Sequence, residues 1–186
     1  AFVEEDAFVE FETEFMGSPP NDKVHGRMHS RDDGTVIISL QRGPDPAAFA
    51  KVLVHETAHG YMFRYKSDRM IPRWLNEGIA DWIAGVIVTA SNIVRQRQVQ
   101  AAERLRSTHS LERLFDSDSP EYWQYGVASS MVDLMIRHDK EAFRLFFDGI
   151  KEGLTWEDSL ERAYAATPED LIALYGNEIG VPDLMP

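Results

Sequence analysis

Apolar positions recur at helical spacing over most of this chain and alternate with polar ones only near its start. Phe49, Val52, Leu53, Met62 and Phe63 mark the buried stripe of a helix from Pro46 to about Tyr65. Asp45 is its N-cap, and Pro46 takes the first helical position, where a missing N–H costs nothing. A second helix is predicted from Pro72 to about Val88, with Trp74, Leu75, Ile79 and Ile83 as core positions. Ser91 caps an Arg- and Gln-rich helix to about Arg106, whose exposed face reads as solvated. Ser110 to Phe115 reads as a short helical turn, and the loop Asp116 to Pro120 is placed to border a cleft. Glu121 opens a helix ending near His138, with Met131, Leu134 and Met135 as its buried stripe. Asp139, Thr155 and Thr167 cap three more helices, the last with proline at its first position and carboxylates in its first turn.

The first part of the chain has a different pattern. Phe2, Phe8, Phe11 and Phe15 stand among Glu4, Glu5, Glu10, Glu12 and Glu14, and Phe8-Val9-Glu10-Phe11-Glu12 partly alternates. That predicts a strand of the sheet or an extended arm, with Gly17 to Asp22 as a loop. An arm delivering carboxylates to a metal is the less supported alternative, since no specific signal marks it. Val24 to Arg31 and Thr35 to Gln41 form a hairpin around Asp32-Asp33-Gly34, whose D-G step tolerates positive φ. The expected fold is therefore a mainly helical α+β domain with a small N-terminal sheet over the helix from Pro46. One domain spans 1–186: a strand or arm over 1–22, hairpin plus first long helix over 23–66, and a helical lobe over 67–186.

Composition narrows the partners. With 186 residues, 44% of them hydrophobic, the chain can bury one proper core. Nineteen basic against 31 acidic residues give a net charge of −12, which disfavours nucleic acid or an anionic membrane as partner and otherwise serves solubility. The absence of cysteine excludes disulfides and thiolate metal sites, leaving His, Asp and Glu as strong ligands. The longest apolar run, Trp82 to Ala90, is far short of the roughly 20 residues of a membrane span. No signal peptide is visible, and a start at Ala1 without Met reads as a processed or trimmed product. Compartment and oligomeric state stay open.

Candidate chemistry concentrates in His55-Glu56-Thr57-Ala58-His59, an H-E-x-x-H stretch on the first long helix. Residues four apart lie about 40° from each other around a helix, so His55 and His59 can share one ion. Glu56, about 100° from His55, can reach a water on that ion without being a ligand. A catalytic zinc site needs three protein ligands and one open position, and Glu77 on the next helix supplies a carboxylate. Asp81, four residues further on the same face, can accept the other ring N–H of a ligand histidine. His25 and His29 are also four apart, but in a strand they stand about 13 Å from each other, too far for one ion. They read as structural or surface residues.

H-E-x-x-H followed by Trp74-Leu75-Asn76-Glu77-Gly78-Ile79-Ala80 resembles the gluzincin metallopeptidases, most closely the peptidase-MA-like domains related to M1 aminopeptidases. Asn76-Glu77 with Asp81 is also similar to the thermolysin arrangement. The resemblance spans roughly residues 35 to 180 and is strong over 52 to 84. It implies one zinc ion per chain on His55, His59 and Glu77, with Glu56 as general base. It further implies that a tyrosine at the start of the helix near residue 121 donates to the oxyanion; Tyr125 fits best, with Ala128 three positions on, and Tyr122 is the reserve. By the same likeness and by the logic of edge pairing, Thr35, Val36, Ile37, Ile38 and Ser39 form the strand that pairs with an extended substrate. The spacing from His59 to Glu77 is one residue shorter than is usual in M1 enzymes. A G-x-M-E-N motif is missing, which argues against aminopeptidase action. The expected function is a zinc-dependent peptidase acting on peptides or proteins. Alternatives are a zinc-binding interaction domain without catalysis and a metal-free helical scaffold.

Overall fold

A computed structural model describes residues 1–20, 24–66, 71–117 and 120–186. It is mainly helical, 65% helix against 8% strand, with one small antiparallel sheet near the N-terminus, so the α+β expectation holds. Strands β1 (Gly26–Ser30) and β2 (Val36–Leu40) pair in the register Gly26↔Leu40 to Ser30↔Val36 around the predicted Asp32-Asp33-Gly34 turn. Gly34 has φ of +79°, which is why glycine stands there.

Helix α2 (Pro46–Tyr61) lies under this sheet and continues through a wider π-type turn over Met62–Lys66. Its predicted cap is present: the Asp45 carboxylate accepts from the Ala47 N–H at 2.9 Å. Two glycines set the close approach of sheet and helix. A Cβ on Gly26 would stand 2.6 Å from Val52 and 3.1 Å from Glu56, and one on Gly60 would stand 2.8 Å from Val36. Met28, Val36, Ile38 and Leu40 thus face α2 or its immediate neighbours, and Arg27, His29 and Ser39 face the other way.

The N-terminal segment departs from expectation. Instead of a strand or arm it forms α1 (Glu5–Glu10), running into a π-type turn over Phe11–Phe15. Phe8, Phe11 and Phe15 recur at helical spacing, and Phe8 and Glu12, four apart, are both buried. That 3.6-residue period outweighed the short alternation, because it lets one face pack on the sheet. Glu12 carries no carboxylate to a metal. It accepts from His29 at 2.9 Å and from Ser39 at 2.5 Å, and pairs with Arg27 at 3.2 Å. Only Phe2 joins the sheet, through a parallel bridge to Gln41. Of the expected loops, residues 21 and 22 of the first and 118 and 119 of the second lie outside the described residues.

Helix α3 (Arg73–Ile87) runs through the centre, between α2 on one side and α4 (Ile93–Thr108) and α5 (Gln124–His138) on the other. Trp74 at its start is fully buried against Phe115 and Trp156, with ring centroids 5.1 and 5.3 Å away. Gly78 lets α5 touch α3 backbone to backbone: an added Cβ would stand 2.7 Å from the Ala128 carbonyl oxygen. α4 starts after Asn92, with the Ser91 hydroxyl accepting from the Ile93 N–H at 3.4 Å. The turn predicted over Ser110 to Phe115 is helical only at Leu114–Asp116, because Ser110 instead bridges to Met185. α6 (Lys140–Glu152), α7 (Trp156–Tyr164) and α8 (Pro168–Ile179) start at the predicted caps, α8 with the full reciprocal Thr167–Asp170 box. Among the described residues no helix is long and apolar enough to cross a membrane. Replacing Gly78 by Ala is expected to destabilise the fold by about 1–3 kcal/mol, read by urea unfolding, because the Ala128 backbone cannot move aside as a flexible side chain could.

Candidate metal centre

Lys51, His55 and His59 recur every four residues along α2, and Arg73, Glu77 and Asp81 do so along α3. The two stripes face each other in antiparallel order, Lys51 meeting Asp81 and His59 meeting Glu77. Between them three atoms converge. His55 Nε2 and His59 Nε2 are 3.1 Å apart, and Glu77 Oε2 lies 3.2 Å from the first and 3.4 Å from the second. Donors around a tetrahedral ion with bonds of about 2.0–2.1 Å stand about 3.3–3.4 Å from one another, so this triangle has the dimensions such an ion requires. The two rings meet edge to face at 89°, which aims both Nε2 atoms at the shared point. His55, His59 and Glu77, all buried, could therefore hold a metal ion.

The remaining ring nitrogens are turned away from that point. His59 Nδ1 lies 3.1 Å from Asn76 Oδ1, so it donates there and leaves Nε2 as the lone-pair nitrogen. His55 Nδ1 lies 2.8 Å from Asp81 Oδ1 but out of line with its N–H, so this contact is electrostatic more than a formed hydrogen bond. Asp81, 0% exposed, also accepts from Lys51 Nζ at 2.6 Å and pairs with the Arg97 guanidinium. Asp81 thus stands beside His55 Nδ1 and is shared with two cations.

The charge balance favours a cation at the imidazole pair. Burial works against ionising Glu77, but the hydrogen bonds and charges of His55 and His59 outweigh it and hold the carboxyl well below the usual range. Asp81 is likewise held low against its burial, by His55, Lys51 and Arg97. Burial would lower the His55 pKa, yet Asp81 and Glu77 together raise it to about 9. These carboxylates favour positive charge at the imidazoles, the charge a divalent ion would supply.

Glu56 follows His55 directly, under Gly26 of β1. It makes no hydrogen bond or ion pair among the described residues, so its carboxylate has no structural commitment. Tyr125 is half-buried near Glu77 and Arg73: burial and the Glu77 charge push its phenol up, and the Arg73 charge pulls it down. Tyr122 is 58% exposed and lies under the Arg97 guanidinium, 4.1 Å from its ring centre, and the Tyr125 ring centre lies 5.6 Å from the same group.

Thr35, Val36, Ile37, Ile38 and Ser39 belong to the turn and to β2, and both strands lie on α2: Gly26 of β1 meets Val52 and Glu56, while Gly60 meets Val36 and Ile38 of β2 and Met28 of β1. The hydrogen bonds from Gln41 N to His25 O and from Arg31 N to Thr35 O pair the odd-numbered residues of β1 with β2. The N–H and C=O groups of Gly26, Met28 and Ser30 therefore point outward, away from β2, and among the described residues they meet no backbone partner there. The outer edge of β2 instead receives Phe2, whose N–H donates to Leu40 O at 2.7 Å.

Sequence reasoning missed Lys51, Asn76, Arg73 and Arg97. The first three could have been found by extending each four-residue stripe one step and by reading Asn76 as the neighbour of Glu77. Arg97 carried no such signal: it sits on the helix read as solvated and turns inward from there, 8% exposed. His25 and His29 behave as expected, one beside Gln41 at 3.1 Å and one on Glu12. No protein-family model, curated protein or solved structure matches this chain in comparison. Asp81→Ala is expected to cost about 3–5 kcal/mol in thermal or urea unfolding with chelator present, because Lys51 and Arg97 would be left buried without their anion.

Proposed function

We propose that this chain is a zinc-dependent metallopeptidase of the gluzincin kind. The observation that carries the reading is the triangle of His55, His59 and Glu77 ligand atoms at 3.1–3.4 Å beside the uncommitted carboxylate of Glu56. Two imidazoles and one carboxylate, with no thiolate in the chain, suit zinc, and three protein ligands leave a fourth position for chemistry. Bound there, zinc would lower the pKa of a water from about 15.7 to about 7 and polarise a carbonyl.

The remaining steps belong to the chain's own side chains. Glu56 takes the proton of the attacking water and later passes it to the leaving amine, for which a carboxylate without a salt-bridge partner is suited. The Tyr125 hydroxyl donates to the oxygen that becomes negative as the carbonyl turns tetrahedral. Asn76 and Asp81 keep the two rings in the tautomer that presents Nε2. An extended peptide is aligned by the outward backbone groups of Gly26 and Met28 on β1, which brings its carbonyl over Glu56.

Zinc content and cleavage of a mixed peptide library by the purified chain test the reading directly. Peptide binding without cleavage would favour an interaction domain of the same architecture, and a chain that takes up no metal would leave only a scaffold. Glu56→Gln is expected to retain stoichiometric zinc by metal analysis and to lose turnover by about 10²–10⁴-fold. Tyr125→Phe is expected to lower kcat by about 10²-fold with zinc content and KM near wild type; equal kcat would remove the hydroxyl from the mechanism.

A further inference from the structure

Arg73 stands where helix energetics disfavour it. It is the first residue of α3, at the end where the helix dipole repels a cation, and the first turn holds no acidic residue to offset it. Its i,i+4 partner Glu77 lies on the C-terminal side, the weaker orientation for such a pair. The pair is also unlike a surface ion pair. The guanidinium side chain is 50% exposed, but the carboxylate it meets is 5% exposed and already turned by its other oxygen toward two imidazoles.

The oxygens of Glu77 are divided between these partners. Oε2 faces His55 and His59, and Oε1 accepts from Arg73 Nη2 at 2.9 Å. A carboxylate can bind a metal through one oxygen or two, and the second mode fills the coordination position that a reacting group needs. We infer that Arg73 is a positioning residue of the metal centre, holding Glu77 Oε1 away so that Glu77 ligates through Oε2 alone. This inference rests on the metal-centre reading above. The planar guanidinium fork offers several donors in a fixed geometry to hold that oxygen in place. Lysine offers a single ammonium point in that place.

Cobalt(II) is the probe, because its visible bands are intense when it has four ligands and weaken when it has five. Wild type, Arg73→Lys and Arg73→Gln are each titrated with Co2+, folding being checked by far-UV circular dichroism, and affinity is read by chelator competition. The expected result is an intense four-coordinate band in the wild type. In Arg73→Gln the band loses intensity and affinity falls by about 10-fold or more, and in Arg73→Lys both recover most of the way. A folded Arg73→Gln protein with the wild-type band and affinity would overturn the inference while leaving the metal centre standing. A wild type that takes up no Co2+ would overturn the centre and this role with it.

Discussion

Two carboxylates shut away from water on one helix set the terms for the rest of this structure. Glu77 and Asp81 sit a turn apart on α3, and each would be costly to bury alone. Their partners come from the facing stripe of α2, from Arg97 on α4 and from Arg73 one turn earlier on α3 itself. The antiparallel meeting of α2 and α3 is thus both a packing contact and an electrostatic one. It grades the site along its length. At the Asp81 end Lys51 and Arg97 saturate the carboxylate, which makes it a fixed support. At the Glu77 end two imidazoles and one carboxylate oxygen converge on a point that could hold a metal ion.

The sheet adds direction to that site. Gly26 and Gly60 let the hairpin lie close on α2, and the pairing parity of β1 turns the backbone groups of Gly26, Met28 and Ser30 outward, away from β2. The N-terminal helix is held on the opposite face by the buried Glu12 carboxylate, which binds Arg27, His29 and Ser39. Phe2 closes the far edge of β2. The sheet thus stands between the buried Glu12 carboxylate on one face and α2 with its imidazoles on the other.

Helix boundaries were legible wherever a side chain caps its own helix. Asp45, Asp139, Thr155 and Thr167 each accept the backbone N–H expected of them, since capping depends on a few adjacent residues and little else. The N-terminal segment was misread for the opposite reason: its alternation was local and short, whereas the helical period of its phenylalanines gains meaning only when the sheet offers a face to bury them. Arg97 was missed on similar grounds. An arginine in a polar helix is usually solvated, and nothing along the chain says that a buried carboxylate from another helix lies opposite it.

The chain order alone determined a mainly helical α+β fold and the two four-residue spacings that put His55 with His59 and Glu77 with Asp81 on single helix faces. These follow from 3.6 residues per turn, a property of each helix by itself. Tertiary structure decided what those faces meet: that Glu77 lies within 3.4 Å of both imidazoles, that Asp81 is shared by Lys51 and Arg97, and that the hairpin lies close on α2 at Gly26 and Gly60. Those relations depend on how helices cross and on which side a hairpin lands. Such choices are made by the packing of residues far apart in the chain, through side chains and glycine contacts that no local pattern encodes.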